Sequence, residues 1–169
     1  HSGAQIVLVA SGGGTQVIPQ LLSQGGASNV MLEVLVPYAK SAVADVLGSH
    51  PEAYCSDRTA RQLAVAGWQR SVKLSRQGRN NVGIAATASL RSRNPKIGQH
   101  RVHVATHRVQ ETVTATLQLT KNVRSRLEEE RVAAFGYSAL SKRAREEGEN
   151  THVNTHKSAW KTMRMRKCE

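Results

Sequence analysis

The chain has 169 residues, of which 24 are Lys or Arg and 12 are Asp or Glu, giving a formal net charge of +12. Hydrophobic residues make up 39% of it, as in a soluble globular domain, and no apolar run approaches the roughly 20 residues of a membrane-spanning helix. No transmembrane segment is therefore predicted. Cys55 and Cys168 are the only cysteines. Two distant cysteines exclude a disulfide framework and a zinc ribbon, and they favour a reducing compartment.

The positive charge favours polyanionic partners: nucleic acid, an anionic membrane or an acidic protein surface. A solvated basic surface without a dedicated partner is the alternative. Aromatic residues make up only 4% of the sequence. An RNA partner is therefore expected to be bound through its backbone phosphates rather than by base stacking.

The first predicted elements are an apolar strand over 5–10 (QIVLVA) and a helix over 15–24, joined by SGGG. Thr15 is a candidate N-cap of this helix, and Gly25-Gly26 is expected to end it. Such a glycine-rich turn between a strand and a helix can bind phosphate through backbone N–H groups. The alternative is a tight turn with no ligand.

A second buried strand is predicted over 29–38, and a helix over 39–47 that ends at Gly48. Ser56 is then expected to cap a longer helix over 57–74, one face of which is apolar and the other basic.

The next elements are a buried strand over 82–88, a basic loop over 89–99 and a hairpin of two alternating strands around 109–111. A final helix is predicted over 125–147, with Glu128–Glu130 near its N-terminus, where the helix dipole favours anions. Its apolar face is assigned to Val132, Phe135, Ala139 and Leu140.

Strands that alternate with helices, followed by a hairpin and a last helix, predict a three-layer α/β/α domain with a mixed sheet over residues 1–147. Residues 148–169 form a basic C-terminal extension. Its candidate contacts with RNA or a protein partner are Lys157, Trp160, Lys161, Arg164, Arg166 and Lys167.

Five segments, in chain order, resemble the C-terminal domain of the CinA family, the nicotinamide-nucleotide amidase fold. They are SGGGTQVIPQLLSQGGAS, LEVLVPYAKSAVADVLG, YCSDRTARQLA, VGIAATASLRSRNPKIGQHRVHVAT and VRSRLEEERVAAF. The resemblance covers about residues 5–147. It implies the CinA C-terminal fold, and it raises the homodimer common in that family as a further expectation.

The same resemblance indicates that the hydrolytic residues are missing. The family serine nucleophile, two positions before the threonine of its E-S-C-T-G-G motif, falls on Val9, and the family lysine falls on Val43. The family tyrosine is present as Tyr38. Ser11 and Lys40 are the fallback nucleophile and base, because a serine needs a nearby base to attack an amide.

Two groups of residues are candidates for binding a nucleotide or phosphate. The first is the glycine turn with the tyrosine, namely Ser11, Gly12, Gly13, Gly14 and Tyr38. The second is a basic segment that contributes Arg91, Lys96, His100 and Arg101. Arg91 and Arg93 are also candidate contacts for RNA or a protein partner, and solvated charge is the alternative.

A metal site is not predicted from His100, His103 and His107, because alternation along a strand points His100 and His103 to opposite faces. No cofactor is expected either.

The leading hypothesis is a catalytically degenerate CinA-like domain that serves as an accessory subunit of a larger protein or ribonucleoprotein assembly. The mitochondrial matrix or another organelle is the expected location, with the cytoplasm as the alternative. The chain begins at His1, which would fit either a removed targeting peptide or a tag remnant. The competing hypothesis is an amidohydrolase that acts on nicotinamide mononucleotide or a related nucleotide. A nucleotide-sensing module without chemistry is a third.

Overall fold

The computed structural model describes residues 4–75 and 80–146, which form five strands and four α-helices. The strands are β1 (Gln5–Ser11), β2 (Met31–Leu35), β3 (Asn81–Ser89), β4 (His100–His107) and β5 (Thr112–Leu119). The helices are α1 (Val17–Leu22), α2 (Lys40–Leu47), α3 (Asp57–Leu74) and α4 (Arg126–Glu146), and a short 3-10 turn spans Ala27–Asn29.

The strands form one mixed sheet in the order β2-β1-β3-β4-β5. β1 runs parallel to both of its neighbours, and β4 is antiparallel to β3 and to β5. Helices α1 and α4 pack on one face of the sheet, and α2 and α3 pack on the other. This is the three-layer α/β/α domain with a mixed sheet that the sequence predicts.

Side chains along β1 alternate between two separate cores, as expected for a strand covered on both faces. Leu8 and Ala10 pack with α1 and α4, whereas Val7 and Val9 pack with α2 and α3. The carboxyl ends of the parallel strands β1 and β3 lie side by side, because Ser11 is the register partner of Thr87.

Helix α3 begins and ends where the sequence predicts. Ser56 is its N-cap, and the Ser56 hydroxyl accepts a hydrogen bond of 3.1 Å from the backbone N–H of Thr59. Gly67 of α3 faces Gly83 of β3, and a Cβ on Gly67 would lie 3.4 Å from the Gly83 Cα. The paired glycines let the helix backbone approach the sheet closely.

The first helix is shorter than predicted. It covers Val17–Leu22 rather than 15–24, and its N-cap is Gln16, which makes no side-chain capping bond, so the assignment of Thr15 as the cap is wrong. The helix ends before Gly25 is reached, at the C-cap Ser23. Helix α2 ends as predicted, at Gly48 in the left-handed conformation.

Strand β2 is shorter and more exposed than the predicted buried strand over 29–38. It covers Met31–Leu35, and all five of its residues are half-buried. The physical reason is that β2 forms an edge of the sheet, which an apolar sequence pattern alone does not reveal.

Helix α4 turns a different face to the sheet from the one predicted. Ala133, Ala134 and Tyr137 are fully buried, whereas Phe135 is 64% exposed. Ala139 is also exposed, Val132 is half-buried, and the side chain of Leu140 lies outside the part that the structure describes. The buried face follows the helical spacing of Ala133, Ala134 and Tyr137, and the ring of Tyr137 packs against the glycine turn.

None of the helices in the described ranges is long and apolar enough to cross a membrane. The predicted basic extension over 148–169, with all of its candidate contact residues, lies outside the described residues. The boundary at 147/148 stays a prediction for the same reason.

An ion pair joins the edge strand to α3 and leads to a pH prediction. The guanidinium of Arg70 donates to the Glu33 carboxylate at 2.7 and 3.0 Å, and this bond is the main reason that the pKa of Glu33 lies below its ordinary value of 4.5. The pair therefore stabilises the fold above about pH 4.5, and this contribution is lost as the pH falls through the lowered pKa.

We expect Arg70→Gln to lower the free energy of unfolding only slightly at pH 7, because the pair is partly exposed and screened by solvent. The difference from the parent chain should shrink as the pH falls through the lowered pKa of Glu33, where its carboxylate becomes protonated. Urea unfolding at a series of pH values measures this. Arg58→Gln is the control, since the Arg58–Glu52 pair is far more exposed. An equal change with pH in both variants would contradict the assignment.

Candidate functional site

The glycine turn after β1 packs tightly against β3 and α4. Gly12 and Gly14 have φ angles of +80° and +79°, a left-handed conformation that favours glycine. A Cβ on Gly12 would lie 2.1 Å from the carbonyl oxygen of Ala88, and one on Gly14 would lie 2.5 Å from the ring of Tyr137. Both glycines are therefore required by conformation and by space, whether or not the turn binds a ligand.

A carboxylate of the same chain binds the turn. The backbone N–H of Gly14 donates to Glu130 at 2.5 Å. The Arg126 guanidinium donates to the same carboxylate at 2.7 Å and to the Gly12 carbonyl oxygen at 3.2 Å. An amide that could hold a ligand anion thus already holds the Glu130 carboxylate.

The neighbouring carboxylate of Glu129 is fully buried and joins α4 to the start of β4. One of its oxygens lies 2.7 Å from Nδ1 of His100, which is only 4% exposed. The other accepts the backbone N–H of Arg91 at 2.6 Å. Because a buried carboxylate needs partners for its lone pairs, this arrangement fixes both the imidazole and the first residues of the 90–99 loop.

Helix α4 begins with a capping box that sets the position of these carboxylates. The Ser125 N–H donates to the Glu128 carboxylate at 2.7 Å, and the Glu128 N–H donates back to the Ser125 hydroxyl at 3.3 Å. The Ser125 hydrogen bond lowers the pKa of Glu128 below its ordinary value. Glu129 and Glu130 follow directly, within the first turn and a half.

A basic cleft of about 630 Å³ opens beside these two glutamates. It lies between the 90–99 loop, the start of β4, the residues after β5 and the first residue of α4. All of its lining residues belong to the described ranges and none is acidic: Arg91, Ser92, Arg93, Asn94, Pro95, Lys96, His100, Lys121, Asn122 and Arg126.

Backbone carbonyls fix the loop that forms the wall of this basic cleft. The Lys121 ammonium donates to the carbonyl oxygens of Lys96 and Ile97, at 2.5 and 3.2 Å. At the other end, the Arg126 guanidinium donates to the Arg91 carbonyl oxygen at 3.0 Å. These contacts hold the loop against the segment that leads into α4, and so the cleft is supported from both sides.

Four of the residues predicted from the sequence lie together in the basic cleft: Arg91, Arg93, Lys96 and His100. Arg101 does not join them. It follows His100 on β4, so alternation directs it to the other face, where its guanidinium donates to the carbonyl oxygen of Cys55 at 3.2 Å.

Sequence reasoning missed Lys121, Arg126, Glu129 and Glu130. Arg126 and Glu130 are spaced i,i+4, and their pairing was detectable from the sequence. The contacts of Glu129 join residues that lie 29 and 38 positions apart along the chain, and no local pattern reports them.

The positions to which the CinA resemblance assigns the nucleophile and the lysine lie in an apolar layer. Val9 is 0% and Val43 2% exposed, and both belong to the core cluster that includes Leu63 of α3. Tyr38, in contrast, is 74% exposed. The ammonium of Lys40 lies 5.4 Å from the centre of the Tyr54 ring.

A row of polar side chains crosses the sheet on the α3 face at the carboxyl end of β1. Ser11 is the register partner of Thr87, and Thr87 is the partner of His103. Nδ1 of His103 lies 2.8 Å from the Thr116 hydroxyl. Burial is the main cause that lowers the pKa of His103 below 6.5, so this imidazole is neutral at pH 7.

His100 and His103 lie on opposite faces of β4, as alternation predicts, since one contacts α4 and the other lies on the α3 face. Among residues 4–75 and 80–146, no group of three His, Cys, Asp or Glu side chains is arranged to hold a metal ion.

Comparison with known proteins identifies the fold. No family model and no curated protein sequence matches the chain. A competence or damage-inducible protein from Enterobacter asburiae superposes with a TM-score of 0.64 at 18% identity, over 84% of this chain and 88% of that one. The competence/damage-inducible protein CihA from Agrobacterium tumefaciens gives 0.65 at 21% identity, over 83% and 86%.

A competence-damaged protein (CinA) superfamily protein from Enterobacter cloacae superposes with a TM-score of 0.66 at 16% identity, over 85% of this chain and 83% of that one. The chain therefore has a CinA-like fold along most of its length.

Proposed function

We propose that this CinA-like domain does not hydrolyse amides and serves as a binding domain, an accessory subunit of a larger assembly. Its basic surface would contact RNA backbone phosphates, or an acidic protein in the same assembly. The observation that carries the proposal is the apolar layer containing Val9 and Val43, the two positions that the family resemblance assigns to the nucleophile and the lysine.

Hydrolysis of an amide by a serine enzyme needs a hydroxyl nucleophile with a base within hydrogen-bond reach. The valine side chains supply neither, and their full burial among Leu63, Ala60 and Ala64 leaves no place for a substrate at that layer. Lys40, the fallback base, has its ammonium 5.4 Å from the centre of the Tyr54 ring.

The binding half of the proposal is supported by charge. Five Lys and Arg side chains line the basic cleft, and one of them, Arg126, is paired with Glu130, which leaves four without a carboxylate partner in the part of the chain that the structure describes. Together with a net charge of +12, this favours phosphate-rich partners. An organellar assembly, first of all in the mitochondrial matrix, is the setting that we propose.

The proposal predicts that the purified chain releases no ammonia from nicotinamide mononucleotide and binds single-stranded RNA in a salt-dependent way. A plot of log K against log salt falls with a slope set by the number of phosphate contacts. The double variant Arg93→Gln/Lys96→Gln should make this slope less steep by about 1.4, because each lost phosphate contact removes about 0.7. Fluorescence anisotropy with a labelled RNA measures this.

Arg58→Gln/Lys73→Gln is the matched control, since it removes the same charge from exposed positions on α3. RNA binding that both double variants weaken equally would contradict a role for the basic cleft. An acidic partner protein, rather than RNA, is indicated by a different result. In that case the parent chain binds no RNA but co-purifies with a protein, and Arg93→Gln/Lys96→Gln alone loses that protein.

The second candidate function is the amidohydrolase, with Ser11 as the nucleophile. The observation that favours it is the row formed by Ser11, Thr87 and the neutral His103 at the carboxyl end of β1. Ammonia release that Ser11→Ala abolishes and Ser49→Ala, at an exposed position, leaves intact would establish this function and overturn the first.

A further inference from the structure

The basic cleft has a volume that is usual for a small-molecule site. Its volume of about 630 Å³ lies within the range of about 300–1,000 Å³ that is usual for ligand sites. Its walls are fixed by hydrogen bonds from Lys121 and Arg126 to backbone carbonyls. A concavity with fixed walls can enclose a compact anion as well as a segment of RNA backbone.

The charges in the cleft match an anion with several negative charges. Arg91, Arg93, Lys96 and Lys121 have no carboxylate partner among the described residues, and no acidic residue lines the cleft. A single phosphate group carries at most two charges near neutral pH. Two linked phosphate groups come closer to balancing four cations.

The donors in the cleft are of the kinds that recognise phosphate. The two arginines present planar forks that bind phosphate oxygens in pairs, and the lysines act as point charges. One N–H of the Arg91 guanidinium is used by the Arg124 carbonyl oxygen, at 2.9 Å, which holds this side chain in place and leaves its other donors for a ligand. Two of the three donors of Lys121 are likewise engaged by the loop.

His100 adds a positioned polar group to the cleft wall. Its Nδ1 is bonded to the buried Glu129 carboxylate, so Nε2 is the ring nitrogen left for a ligand, and it donates to a phosphate oxygen when both ring nitrogens carry a proton. A buried carboxylate that orients an imidazole in this way removes the entropy cost of ordering it when a ligand binds. Because the same carboxylate accepts the Arg91 N–H, it also fixes the backbone of the loop beside the imidazole.

The glycine turn is the competing phosphate site, and the structure favours the cleft over it. The Gly14 N–H donates to Glu130, so a phosphate at this amide would have to displace a carboxylate that Arg126 also holds. The cleft requires no such displacement.

We propose that the basic cleft binds a small molecule that carries two linked phosphate groups, such as a nucleoside diphosphate or inorganic pyrophosphate. Arg91, Arg93, Lys96 and Lys121 neutralise the phosphates, and His100 provides the oriented contact. The inference goes beyond the proposed function, because it requires neither an RNA partner nor the absence of hydrolysis.

Isothermal titration of the full chain with inorganic pyrophosphate tests the proposal, with orthophosphate as the reference ligand. We expect pyrophosphate to bind at least about tenfold more tightly than orthophosphate, which corresponds to about 1.4 kcal/mol. Arg93→Gln/Lys96→Gln should weaken pyrophosphate binding at least about tenfold. Both residues are exposed, so the fold should be unaffected.

Arg58→Gln/Lys73→Gln is again the charge-matched control and should bind pyrophosphate as the parent chain does. Equal affinity for pyrophosphate and orthophosphate, or equal weakening in both double variants, would overturn the proposal. A third result would also overturn it: RNA binds the cleft, but pyrophosphate neither binds the chain nor competes with that RNA. Failure of RNA binding alone would contradict the proposed function and leave the pyrophosphate site intact.

Discussion

Gly83→Ala is expected to lower the free energy of unfolding by about 3 kcal/mol or more, at the upper end of the cost of overpacking. A Cβ at this position would lie 1.9 Å from the Ala64 carbonyl oxygen and 2.3 Å from the Trp68 backbone nitrogen. Both atoms belong to the backbone of α3, so no side-chain rotation can relieve the overlap. Helix α3 must therefore move away from β3, the strand against which it packs most extensively.

Urea unfolding followed by far-ultraviolet circular dichroism measures this loss. Gly25→Ala is the control, because nothing lies within 4 Å of its Cβ position and its φ angle is not in the left-handed region. This second variant should be neutral or slightly more stable. Unfolding midpoints that agree for Gly83→Ala and Gly25→Ala would show that α3 is not packed against β3 in this way.

Glu129→Ala is expected to lower the free energy of unfolding by about 3 kcal/mol, since removing one partner leaves other buried groups unpaired. The groups that lose their partner are the imidazole of His100 and the backbone N–H of Arg91, which lie 2.7 and 2.6 Å from the carboxylate. For a chain of this length the melting temperature should fall by roughly 10 °C.

The same variant should also weaken pyrophosphate binding, because Glu129 orients His100 and the start of the loop. Differential scanning calorimetry and titration at a temperature where the variant is folded separate the two effects. Glu111→Ala removes an exposed carboxylate from the hairpin and should change neither quantity. A Glu129→Ala protein that melts like Glu111→Ala would contradict the buried network.

The candidate site could be predicted from the sequence only in part. The basic loop between β3 and β4 is visible as a run without acidic residues, and it supplies Arg91, Arg93 and Lys96 to the cleft. Arg101 was grouped with them because it is close in sequence, but strand alternation separates it from His100. The other members arrive from the residues after β5 and from α4, and no local pattern links those segments to the loop.

The sequence by itself determined the order and type of the five strands and four α-helices in the described ranges, because the signals for these are local. Period-two alternation marks β4 and β5, the Ser56 hydroxyl starts α3, and Gly48 ends α2. The alternation of strands and helices also predicted the three layers, and the CinA resemblance identified the fold, which the match to solved structures bears out.

Only the tertiary structure decided which face of α4 is buried, how exposed β2 is, and where Glu129 and Glu130 point. Each of these depends on which neighbour covers an element, a contact between residues far apart in the sequence. The helix dipole favours all three consecutive glutamates near this helix start, and the capping-box spacing from Ser125 distinguishes only Glu128. Their neighbours divide their roles: Glu128 caps α4, Glu129 is buried against His100, and Glu130 holds the glycine turn.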